Sequence, residues 1–125
     1  MVIGKGNALM EEIGLDGRII EILNHVFLRY SDIVSVVLFG SRAKGTAKHN
    51  SDIDLAIFGV DNDLSIETIA MELDLLPLPY KFDVKSFNSI RNSALRDHIN
   101  RVGVRIYEKT SVNQQAGAAS FFTVK

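Results

Sequence analysis

Two hydrophobic spacings alternate along this chain. Ile19, Ile20, Leu23, Val26, Phe27 and Tyr30 recur at three- and four-residue steps, while Arg18, Glu21, Asn24, His25 and Arg29 fall on the other faces. That spacing predicts an amphipathic helix, with Asp16 as its N-cap. Ser31-Asp32 breaks the helix, and Val34 to Phe39 is then apolar and β-branched almost throughout, as in a strand covered on both faces. The polar stretch Thr46 to Ser51 leads into a second strand, Asp52 to Phe58. Leu64 to Leu76 predicts a helix through Ile66, Ile69, Ala70 and Leu73, capped by Asp63 or Ser65 and ended by Pro77 and Pro79. Tyr80 to Phe87 alternates, with Phe82, Val84 and Phe87 toward a core and Lys81, Asp83 and Lys85 on the wetter face. Ser89 to Arg101 predicts a third helix through Ile90, Ala94, Leu95 and Ile99, stopped at Gly103, and Val104 to Tyr107 a short closing strand. This mixture of helices and strands is an α/β (α+β) pattern. A single domain over 1–110 is expected, opening on a loose glycine-bearing lead and followed by a flexible C-terminal tail over 111–125.

The chemistry is concentrated between the first two strands. Gly40-Ser41 follows the first strand directly, ten residues intervene, and Asp52-Ile53-Asp54 begins the second. A glycine at a strand end lets the backbone come close to a ligand, and the amides of the turn after it can point at a phosphate. The Ser41 hydroxyl can donate to a phosphate oxygen, and Arg42 and Lys44 bring positive charge within reach of a triphosphate. Taken alone, this is also what an ordinary solvated Gly-Ser turn looks like. The aspartates say more. Alternate strand residues share a face, so Asp52 and Asp54 point the same way with α-carbons about 6.6 Å apart. Two like charges on one strand face repel, and a cation between them removes that cost. Oxygen-only donors suit magnesium or manganese better than zinc. Asp83, on the polar face of the third strand, is a candidate third carboxylate, although lysines two residues away on either side would equally suit a surface ion-pair group. His25 reads as a solvated helix residue, and His98 as one that packs or caps.

Composition narrows the field. Of 125 residues, 46% are apolar and 23% charged, ordinary for a globular domain, and fourteen basic against fifteen acidic residues leave a net charge of −1. This balance argues against a protein that coats nucleic acid, so no direct nucleic-acid binding is expected. Cysteine is absent, which excludes disulfides and thiolate metal sites and fits a reducing compartment. The opening MVIGKGNALMEEIG lacks the apolar core of a signal peptide, and no stretch approaches the ~20 apolar residues of a membrane span. A cytoplasmic location and no membrane partner are therefore expected.

Gly40-Ser41, ten residues, then Asp52-x-Asp54, with an apolar strand before each half, resembles the signature of the DNA polymerase β-like nucleotidyltransferase superfamily. Within it the chain is similar to the minimal nucleotidyltransferases. GSRAKGTAKHNSDIDLAIF follows the family pattern nearly residue by residue, with Lys44 where arginine is frequent, and FDV around Asp83 and the closing VGVRIYE also match. The resemblance runs from about residue 18 to residue 108. At average residue frequencies, four fixed positions would arise by accident in roughly one chain of this size in a thousand.

The resemblance implies a small mixed β-sheet with helices packed on one face and the active site on the other. It implies that Asp52 and Asp54 hold two Mg2+ ions (Mn2+ being an alternative), that Asp83 binds the catalytic ion, and that Gly40 and Ser41 seat the phosphates of ATP or another nucleoside triphosphate. Arg42 and Lys44 would add phosphate contacts. The implied reaction moves a nucleoside monophosphate, AMP in the first instance, onto a hydroxyl. No stretch reads as an acceptor pocket, so the acceptor is expected from a partner, and the resemblance points to a helical HEPN-family toxin with this chain as antitoxin. Self-association is compatible with the same reading. Two other readings stand beside it: a nucleotidyltransferase for an aminoglycoside-like small molecule, and a binding module that masks a HEPN ribonuclease without catalysis.

Overall fold

The computed structural model describes residues 15–40 and 52–110. Ser41, Arg42 and Lys44, the lead over 1–14 and the expected tail over 111–125 lie outside them. Helix α1 (Gly17–Leu28) is capped as expected, the Asp16 carboxylate accepting the Ile19 amide at 3.0 Å. Strands β1 (Ser35–Phe39) and β2 (Ile53–Phe58) follow. Helix α2 (Asp63–Asp74) is capped by Asn62, whose side chain accepts the Ser65 amide, and not by Asp63 or Ser65. The extended backbone needed at an N-cap falls one residue earlier than the first acidic candidate.

Strand β3 (Phe82–Ser86) leads into a single 3-10 turn over Phe87–Ser89. Helix α3 (Ser93–Val102) then starts four residues later than the hydrophobic spacing suggested, behind an Asn92 cap, and β4 (Val104–Glu108) closes the sheet. Ile90 keeps its place in the apolar pattern but belongs to the turn, its amide bonded to the Phe87 carbonyl.

The strand order is β3-β2-β1-β4, with β1 antiparallel to both β2 and β4, and β3 parallel to β2. Helices α1 and α2 cover one face. Leu23, Val26 and Phe27 of α1 and Ile69 and Leu73 of α2 enclose Val36, Leu38, Ile53, Leu55 and Ile57 of the two central strands, and Phe82 and Val84 pack at its border. The third helix crosses to the opposite face. There Ile99 joins Val37, Phe39, Ala56, Phe87 and Ile90 in a second, smaller core, with Leu95 and Phe58 at its edge. Gly103 ends α3 as expected, but with extended backbone (ψ 151°) in place of a left-handed turn. It is needed for proximity, since a Cβ there would overlap the Ile99 carbonyl and the Val37 side chain. Among the described residues no helix is long and apolar enough to cross a membrane.

Candidate active site

Strand pairing assembles the site. Asp54 is directly opposite Phe39 in the antiparallel β1–β2 ladder and directly opposite Asp83 in the parallel β2–β3 ladder. Residues facing each other across a ladder project to the same side of a sheet. Asp54 and Asp83 therefore share a face, and it is the face of Phe39, Ala56 and the second core, away from α1 and α2. The Ile53 amide bonds to the Lys81 carbonyl at 2.8 Å, so the pairing reaches the very start of β2. Asp52 stands exposed just before that strand, at the same end of the sheet as Asp54 and Asp83.

Gly40 ends β1 with φ of +81°, a backbone conformation that glycine adopts without strain. An added Cβ would overlap the Asp54 carboxylate. The main chain at the head of the Gly-Ser turn therefore lies against the first carboxylate of the next strand, and the positive φ there would strain any residue with a side chain. The structure brings together four of the seven residues picked out from the sequence: Gly40, Asp52, Asp54 and Asp83.

The electrostatics follow from that assembly. Asp54 is half-buried, and burial is the main cause that raises its pKa above the ordinary carboxylate value. The negative charge of Asp83 pushes the same way, Lys85 opposes it, and Asp52 adds a smaller upward push. The Asp54 and Asp83 carboxyl groups are also close enough to share a proton, which again favours the neutral form.

Lys85 is one of the two lysines that flank Asp83, and it makes the ion pair expected of a surface group. Two residues beyond Asp83 on the same strand face, it donates to both Asp83 oxygens, at 3.0 and 3.1 Å. The ion-pair reading of Asp83 is thus realised with Lys85, while Asp83 also faces Asp54. Strand alternation, which puts positions 83 and 85 on one side, is the signal that already set the two on one face. Beside Lys85 a cavity of about 350 Å³ opens between β3 and the start of α3, bordered by Ser86, Arg91 and Asn92. The Ser86 hydroxyl is buried without a hydrogen-bond partner among the described residues. A larger cavity, about 490 Å³ and lined by Leu28, Tyr30 and Tyr107 among others, sits at the opposite end of the sheet, remote from the aspartates.

Arg96 secures this side of the molecule. Its guanidinium donates to the Phe87 and Ile90 carbonyls, each at 3.0 Å, and lies 4.3 Å from the centre of the Phe87 ring. Phe87 stacks in turn on Phe58 at 4.3 Å. The turn after β3, and with it the end of the strand that carries Asp83, is thereby tied to α3 and β2.

Comparison with known proteins agrees with this geometry. The family described as Polymerase beta, Nucleotidyltransferase matches residues 21–111. No curated protein matches. Among solved structures, the chain is similar to one of a toxin–antitoxin with AMP-PNP, at 22% identity and TM-score 0.59, covering 75% of this chain and 76% of that one. It is also similar to the toxin–antitoxin MntA-HepT, at 17% identity and TM-score 0.51, covering 75% and 77%. A third is a tri-AMPylated HEPN toxin of Shewanella oneidensis in complex with an MNT antitoxin, at 16% identity and TM-score 0.51, covering 76% and 77%. At these identities the structural likeness speaks for the fold. The family match spans most of the chain and includes Gly40, Asp52, Asp54 and Asp83, so this chain belongs to the polymerase beta family of nucleotidyltransferases.

Proposed function

We propose that this nucleotidyltransferase moves AMP from ATP onto a hydroxyl of a helical HEPN-family protein in the cytoplasm, and thereby acts as its antitoxin. The observation that carries the proposal is the meeting of Asp54 and Asp83 across the β2–β3 ladder, with the Gly40 backbone against Asp54. The likeness to toxin–antitoxin structures, one with AMP-PNP and one with an AMPylated toxin, supports the choice of nucleotide and acceptor.

The donor set fits a hard divalent cation. Among the described residues no group of three or more acidic or histidine side chains is closed around a common point. Asp54 and Asp83 nevertheless converge, their donors are all oxygen, and a cation relieves the repulsion that raises the Asp54 pKa. Asp52, Asp54 and Asp83 would hold two Mg2+ ions, which when bound stabilise the charge on the attacking and leaving oxygens of an in-line displacement. Gly40 and Ser41 would seat the β- and γ-phosphates, with Arg42 and Lys44 as further contacts. The acceptor oxygen forms a bond to the α-phosphorus while the bond to the bridging oxygen breaks and pyrophosphate leaves. Asp83, more exposed than Asp54, would take the acceptor proton once Lys85 has let it go.

ATP labelled at the α-phosphate, with magnesium and a candidate HEPN protein, tests the reading. Label in the HEPN protein with wild type, and none with Asp54→Asn, is expected. Equal neutralisation of the toxin by both proteins with no label in either would instead establish masking. Label in an aminoglycoside and none in the protein would move the acceptor to small molecules.

A further inference from the structure

Helix α2 carries a second apolar stripe that its own core does not use. Ile66, Ile69 and Leu73 point into the sheet, yet Leu64, Met71 and Leu75 are 70%, 63% and 79% exposed. Spacings of seven and four residues put these three within about 20° of one line along the helix, spanning about 16 Å. The line runs opposite the buried side. Single exposed leucines are commonplace, whereas an aligned apolar row on a helix, here with exposed Thr68 between Leu64 and Met71, is what interaction faces look like.

A row of like charge borders it. Asp63, Glu67 and Asp74 fall about 60–100° to one side of the stripe, all exposed, and among the described residues none has an ion-pair partner. Glu72, on the other flank, is already engaged with Arg29 and accepts the Tyr30 hydroxyl at 2.6 Å. The stretch 61–80 holds five acidic residues and no Lys, Arg or His, although the whole chain is close to neutral. The surface is therefore apolar along its centre and negative along one rim.

We propose that the outer face of α2 is a docking surface for an amphipathic helix of another protein, one whose apolar stripe is bordered by lysines or arginines. Apolar anchors at helical spacing supply contact area, and rim charges choose the partner and its direction. A second copy of this chain suits the surface poorly, because antiparallel pairing of α2 with itself lays acidic row beside acidic row. The docked helix would sit on the side of the sheet away from Asp54, leaving the nucleotide face open. The proposal stands independently of which acceptor the enzyme modifies.

The probe is an 18-residue fluorescein-labelled peptide with a leucine stripe and one lysine row, beside a twin carrying glutamates for lysines, titrated into the full chain by anisotropy. The basic peptide should bind at least about ten-fold tighter than its twin. Leu64→Gln/Met71→Gln/Leu75→Gln should lose about ten-fold or more in affinity at an unchanged melting temperature, and Asp63→Lys/Glu67→Lys/Asp74→Lys should prefer the acidic twin. Equal affinity for both peptides, or undiminished binding to the triple glutamine variant, overturns the proposal. A sedimenting dimer that dissociates on Met71→Gln would make the occupant a second copy. Met71 shielded from peroxide in the free monomer would show the stripe covered by this chain itself.

Discussion

The two faces of the central sheet are built from the same two strands, yet they differ in what they hold. On the α1–α2 face, Leu38, Leu55 and Ile57 are completely buried in one continuous apolar layer. On the other, the apolar layer is interrupted: Phe39 and Ala56 belong to a small core under α3, and Asp54 stands between them on the same strand face. The first face can be optimised for packing alone. The second must keep a half-buried carboxylate beside a second one, an arrangement that costs stability. A helix that covered this face completely would bury the carboxylates, and one that left it bare would leave Phe39 and Phe87 in water. α3 covers only part of it.

Substitutions on the two faces should therefore separate activity from stability. Asp54→Asn is expected to lower nucleotidyl transfer by about 10³-fold, equivalent to about 4 kcal/mol, while chemical denaturation shows equal or greater stability. Unfolding of this variant would mean that the carboxylate is structural. One residue along the strand, Leu55→Ala should cost about 2–5 kcal/mol by the same denaturation measurement, because it empties a fully buried position. A cost below 1 kcal/mol would show that the α1–α2 face is loosely packed.

Arg96→Ala sharpens the contrast on the second face. It removes two hydrogen bonds to carbonyls and a ring contact, and should destabilise by about 1–3 kcal/mol. Nucleotide turnover should fall with it, since the turn that follows Asp83 loses its tie to α3. Unchanged turnover in a destabilised Arg96→Ala would confine the arginine to structure.

The smallest effect expected is in pH dependence. A carboxylate with a raised folded pKa binds more protons folded than unfolded between the two values. The Asp54 contribution to stability is therefore full below the ordinary carboxylate value and is lost as pH rises through its raised one. In chelator-treated buffer this fall should be present in wild type and missing in Asp54→Asn. Curves of the same shape for both proteins would remove Asp54 from the account.

Much of this was legible before folding. The Gly40-Ser41 pair and the aspartates at 52 and 54 are local features, although Asp52 stands just before β2 and not within it, so strand alternation does not by itself set its face. The helices were legible in their apolar spacing, though the Asn62 and Asn92 caps were not, since an N-cap is decided by one residue's backbone conformation. The start of α3 was misplaced because Ile90 continues the periodicity of the helix while its backbone belongs to the turn held by Arg96. Lys85 was visible as a neighbour of Asp83 but carried no distance until the strand existed.

Most of the elements, the Gly-Ser and Asp-x-Asp motif and the family could be read along the chain, because periodicity, turn chemistry and motif spacing act between residues near one another. Only folding sets β3 parallel to β2 with Asp83 opposite Asp54, puts α3 on their face and leaves one side of α2 uncovered. Those are contacts between distant segments. They depend on which hydrophobic faces can be buried together, and a linear pattern does not contain that competition.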